Sequence, residues 1–72
     1  MIRTMTQSYT VILFELRANR REVFAPAFGR FQSVREARTM ATLRLALGCP
    51  RAYPVGWTIV DADGRAIESW VP

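Results

Sequence analysis

A chain of 72 residues has room for one domain and one small core, burying only about 60% of its unfolded surface. Half the residues are apolar and 11% aromatic, a globular composition, and no apolar run nears the ~20 residues that span a bilayer. The net charge is +4, every basic residue is an arginine, there is no histidine and Cys49 is alone, so intramolecular disulfides and His/Cys metal clusters are excluded.

Residues 1–7 read as a flexible N-terminal arm ahead of a single α+β domain over residues 8–72. The opening "MIRTMTQSYT" carries threonines and glutamine where an export signal needs apolar residues, so the expected location is the cytoplasm. Residues 9–16, "YTVILFEL", are apolar on both alternation sets: Tyr9, Val11 and Leu13 on one, Ile12, Phe14 and Leu16 on the other. Such a strand belongs in the middle of a sheet covered on both faces. Residues 22–27 give a second, shorter strand. Pairing across a loop of residues 18–21 sets Arg17 opposite Glu22 and Leu16 opposite Val23. Pro26 places this strand at an edge, because it has no amide to donate.

"PAFGRFQ" reads as a connection broken at Gly29. Ser33 and Glu36 form a capping box, and a helix is predicted over residues 34–47, stopping at Gly48 and Pro50. Val34, Ala37, Ala41 and Leu45 make its apolar stripe, which Met40, Leu43 and Leu47 widen. After a proline-punctuated loop comes "GWTIVDADGRAIESWV", a hairpin turning through Ala62-Asp63-Gly64 with glycine left-handed. The register of this hairpin sets Ile59 opposite Ile67 and Trp57 opposite Ser69. It also sets Trp70 opposite Gly56, with the indole across the bare backbone. Trp57, Ile59 and Ile67 then share one face, and Val60, Ala66 and Trp70 the other. The closing pattern of Gly56, Trp57, Asp61, Gly64 and Ile67 resembles hairpins of many short bacterial proteins; it covers roughly a quarter of the chain and carries no function.

The expected fold is therefore ββαββ: a four-stranded, antiparallel-type sheet of order 2-1-3-4, strands 2 and 3 parallel but not adjacent, with one helix on one face. The right-handed crossover rule sets that order.

The chemical inventory points away from catalysis. The commonest general base is missing. Asp63 suits its turn and Asp61 pairs with Arg65, so their nearness to Glu68 does not make a calcium loop. Cys49 lies at the negative end of the helix dipole, which disfavours a thiolate. No catalytic, cofactor or metal residue is expected, and no cofactor or membrane partner. Two binding classes remain. One is a homodimeric interaction module, because a single helix covers one face and leaves the other apolar. The dimer surface expected from the register is Tyr9, Val11, Leu13, Val60 and Trp70, although Ile12, Phe14 and Leu16 serve equally if the helix takes the opposite side. The other is an arginine-rich nucleic-acid binder with contacts from Arg17, Arg20, Arg21, Arg35 and Arg38, near aromatic rings that could stack on bases. No nucleic-acid-binding motif appears. The all-arginine basic set follows either from coding bias or from a need for planar donor forks. At the hairpin tip, solubility and blocking of further strand pairing suffice to explain Arg17, Arg20 and Arg21.

Overall fold

Among the described residues of the computed structural model, 7–48 and 51–72, five strands and one helix follow one another. They are β1 (Tyr9–Arg17), β2 (Arg20–Val23), β3 (Phe28–Phe31), α1 (Val34–Ala46), β4 (Val55–Val60) and β5 (Ala66–Trp70). The sheet runs β2-β1-β4-β5, β3 also pairs with β1, and every pairing is antiparallel. The four-stranded sheet expected from the sequence is thus corrected to five strands. Residues 1–6, which hold most of the expected arm, and Cys49 and Pro50 lie outside the described residues.

The fifth strand comes from the stretch that reads as a connection. β1 spans nine residues, and β2 pairs only with Phe14–Arg17. The other half of the same β1 edge takes Phe28 opposite Val11 and Phe31 opposite Tyr9, with a shift between them. Residues 24–27 bulge out between the two pieces because Pro26 cannot donate to the ladder. Backbone groups of β1 left bare there would go unpaired, and "FGRF" satisfies them. Gly29 makes this possible: its φ is +89°, and a Cβ there would run into the Phe31 ring. Phe28 and Phe31 meet edge to face, with centroids 6.2 Å apart.

The first hairpin is tighter than the sequence suggests. Arg17 faces Arg20, Leu16 faces Arg21, Glu15 faces Glu22 and Phe14 faces Val23, so the loop is only Ala18-Asn19. Ala18 has φ +51°, a conformation costing a residue with a side chain about 1–2 kcal/mol. Ala18→Gly should therefore stabilise the chain by about 0.5–1 kcal/mol, once the greater unfolded-state freedom of glycine is set against the relief. Urea denaturation reads this directly, and a lowered midpoint would show that the turn carries no strain.

The helix caps close to expectation. Ser33 Oγ accepts from the Glu36 amide at 3.0 Å, while the Glu36 carboxylate accepts from the Gln32 amide at 2.9 Å rather than from Ser33. Leu47 is the C-cap, and Gly48 follows at φ +107°. Small Ala37 and Ala41 are wholly buried, letting the helix sit close on β1 and β4, and Val34 and Leu45 flank them. Beneath lie Val11, Leu13, Trp57 and Ile59. Met40, Leu43 and Leu47, expected to widen the buried stripe, are exposed instead.

The last hairpin departs by one residue. Its turn is as expected: Gly64 has φ +82°, and Asp61 Oδ1 accepts from the amides of Asp63 and Arg65, both at 2.9 Å. That use of Asp61 replaces the expected ion pair with Arg65. Beyond the turn Val60 faces Ala66, but Ile59 faces Glu68 and Trp57 faces Trp70, so Ile67 is an extra, bulged residue. A one-residue slip exchanges faces. Trp70 therefore joins Trp57 on the helix side, and Ile67 falls on the other. The ring across Gly56 belongs to Phe14, its partner on β1, and not to Trp70.

Candidate functional site

Beyond the helix, the covered face of β1 continues from Val11 and Leu13 to Glu15 and Arg17. Glu15 is 1% exposed, and a lone buried carboxylate is costly unless paired. Two guanidiniums pair it. Arg17 Nε and Nη2 donate to Oε1 at 2.9 and 2.8 Å, and Arg51 Nε donates to Oε2 at 2.7 Å. The loop before β4 brings Arg51 there, anchored by the Leu16 amide donating to the Pro54 carbonyl at 2.8 Å. Each arginine in turn lies over a ring, Arg51 over Phe24 at 4.2 Å and Arg17 over Tyr53 at 4.8 Å. Such stacking suits the flat guanidinium and not an ammonium. The donated hydrogen bond from Arg51, with help from Arg17, holds the Glu15 carboxyl below its ordinary pKa against the opposing effect of burial. The bond that Arg17 donates to Glu15 in turn raises the Arg17 pKa above its ordinary value.

Glu22 sits directly across from Glu15, a like-charge pair that the arginines bridge. Arg17 Nη1 is 3.9 Å from Glu22 Oε1, and Arg20 Nη2 is 3.3 Å from Glu22 Oε2. The cluster thus holds Arg17, Arg20 and Arg51 against Glu15 and Glu22. Beside it, an open depression of about 470 Å³ is lined by Arg17, Ala18, Asn19, Arg20 and Tyr53.

The five arginines expected as nucleic-acid contacts do not come together. Arg17, Arg20 and Arg21 share the hairpin end, but Arg21 lies over the Phe14 ring on the other face, at 4.7 Å. Arg38 is forked onto Glu68 at 2.6 and 2.8 Å, and Arg35 stands nearby on the exposed side of the helix. Glu68 faces Ile59, which faces Val11, about 20 Å along β1 from Arg17 at roughly 3.3 Å per residue.

The expected dimer residues scatter too. Val11 and Leu13 are buried under the helix, and Tyr9 packs against the same core. Trp70 lines a cleft of about 390 Å³ between helix and β5, with Arg38, Thr42, Leu45, Trp57 and Glu68. Val60 lies half-buried on the opposite face. That opposite face carries Ile12, Phe14 and Leu16 from β1, and no described helix covers it.

Glu15 and Arg51 are the residues that reading by strand and motif misses. A signal for Glu15 exists: in the set Val11, Leu13, Glu15, Arg17, the charge arrives where the pattern still demands burial. Nothing local marks Arg51, 36 residues away in sequence.

No protein-family model matches the chain, and no curated protein or solved structure matches it either. Among the described residues no helix is long and apolar enough to cross a membrane, and no cluster of His, Cys, Asp and Glu could hold a metal ion.

Proposed function

We propose that this chain is a non-catalytic interaction module, acting in the cytoplasm as a homodimer joined through the open face of its sheet. The observation that supports the reading is the composition of that face. Ile12, Leu16 and Val60 lie half-buried across its centre, and Val23 and Ile67 at its two margins are 59% and 44% exposed. The polar side chains on this face are engaged within the chain: the Thr58 and Ser69 hydroxyls bond each other at 2.8 Å, the Thr10 hydroxyl donates to the Gly29 carbonyl at 3.1 Å, and Arg21 lies over the Phe14 ring. Contiguous apolar surface of this kind marks association sites. Two sheets stacked face to face, about 10 Å apart, give a two-fold pair with matching margins. Such a pair buries roughly 1,200–2,000 Å² in total.

The lack of histidine and the engagement of Glu15, Glu68 and Asp61 in ion pairs or turn bonds support a binding role over catalysis. Sedimentation equilibrium at micromolar concentration should give twice the 8.2 kDa chain mass. Ile67→Glu, a change at an exposed margin, should return the monomer while leaving the circular dichroism spectrum intact. A wild-type chain that sediments as a monomer would end the reading.

A further inference from the structure

We propose that the end of the first hairpin is a binding site for a phosphate group, held between Arg17 and Arg20. The two residues face each other across the β1–β2 ladder, and like charges directly opposite destabilise a sheet. Only one carboxylate stands between them. Glu22 is 42% exposed in its side chain, and its contacts to Arg17 and Arg20 are long, at 3.9 and 3.3 Å. The other carboxylate of the cluster, Glu15, is buried with both oxygens engaged. Three guanidiniums on this face, those of Arg17, Arg20 and Arg51, therefore outnumber two carboxylates, those of Glu15 and Glu22.

Arg17 is also fixed in advance. Its Nε and Nη2 bond Glu15, and its plane lies over Tyr53. Nη1 takes no part in those bonds, and its contact to Glu22 is 3.9 Å. A group that joins such a preset donor loses little side-chain entropy. Arg20, 75% exposed in its side chain, supplies a guanidinium fork, and Asn19 lines the same depression. The Arg17 Nη1 and the Arg20 fork around one tetrahedral anion match phosphate geometry. Binding displaces Glu22, the more weakly held of the two carboxylates.

The phosphate has two sources, a small phosphorylated molecule or the backbone of a single-stranded nucleic acid. Both are tested on the full chain by ¹H–¹⁵N spectra covering the arginine Nε–H and asparagine amide signals. Inorganic phosphate in the millimolar range should shift the Arg17 Nε–H, Arg20 Nε–H and Asn19 side-chain resonances together. Arg20→Gln should weaken binding about tenfold, the usual cost of one charged hydrogen bond. Glu22→Gln removes the competing carboxylate and should tighten it roughly threefold. A site that serves only for folding predicts no tightening. A ten-nucleotide single-stranded DNA, titrated over a salt series, separates the sources. Affinity no greater than that of inorganic phosphate supports a small phosphorylated ligand. Micromolar affinity with a salt slope well above one, competed by inorganic phosphate, supports a nucleic-acid backbone. Absence of localised shifts with either probe, or shifts unchanged in Arg20→Gln, would overturn the site.

Discussion

Gly56→Ala is expected to destabilise the chain by about 2–3 kcal/mol, the usual penalty for forcing a methyl into a filled core. Total stability at this size is on the order of 4–11 kcal/mol, so the loss is a large fraction. The reason is local. A Cβ on Gly56 would stand 2.5 Å from the Trp70 carbonyl oxygen and 2.8 Å from the tip of the Phe14 ring. The carbonyl belongs to the paired β5 ladder and cannot move without it. The ring is 2% exposed, with the Arg21 guanidinium lying over it. An aromatic ring across a strand glycine is itself a recognised way of repairing the glycine's weak pairing, so the substitution disturbs three strands at once. Urea denaturation followed by fluorescence of Trp57 and Trp70, whose strands bracket the clash, reads the effect. A change under about 0.5 kcal/mol would mean that β5 yields freely.

Glu15→Gln should be the most damaging of the carboxylate neutralisations, ahead of Glu22→Gln and Glu68→Gln. Removing its charge leaves Arg17 and Arg51 facing a neutral, buried amide, the situation in which one broken partner costs more than the pair contributes. Glu68 is also held below its ordinary pKa by its bond to Arg38, but it is a third exposed and its pair is screened. The pH dependence follows from the direction of the shift. A carboxylate with a lowered folded-state pKa stabilises the fold fully above its unfolded value, about 4.3. That stabilisation fades as pH falls through the lower folded-state value. Denaturation midpoints measured from pH 7 to pH 2.5 should therefore show a gap between wild type and Glu15→Gln that is constant near neutrality and closes only in acid. Raising salt should narrow the corresponding gap for Glu22→Gln more than that for Glu15→Gln, because the exposed pair is the one that salt reaches. A gap for Glu15→Gln that ignores acid would mean that the damage is steric and not electrostatic.

The arginine-only basic set takes on a structural meaning here. Arg17, Arg21, Arg44 and Arg51 each lie over an aromatic ring, and Arg38 makes a forked bond to Glu68. Lysine could not reproduce these contacts, whatever bias fills the codons. At the hairpin end this changes the view of Arg17: it is a bridge between a buried carboxylate and a ring, and more than a solubilising charge.

By itself the sequence determined the local elements. The capping residues Ser33 and Glu36, the stop at Gly48 and the Asp61–Gly64 turn depend on neighbours within a few positions, and they formed where those neighbours dictated. The stripe of Val34, Ala37, Ala41 and Leu45 likewise announced which side of the helix would meet the sheet. Register and pairing were decided only in three dimensions. The bulge at Ile67 turns Trp70 to the helix side, and the strand at Phe28–Phe31 exists because β1 has an edge left to satisfy. Neither is a property of the segment alone, because strand preference reflects the partner and the face more than the backbone. The Glu15 cluster is the extreme case. A carboxylate can be buried there only because a loop 36 residues on delivers Arg51, and no local pattern encodes where a loop will come to rest.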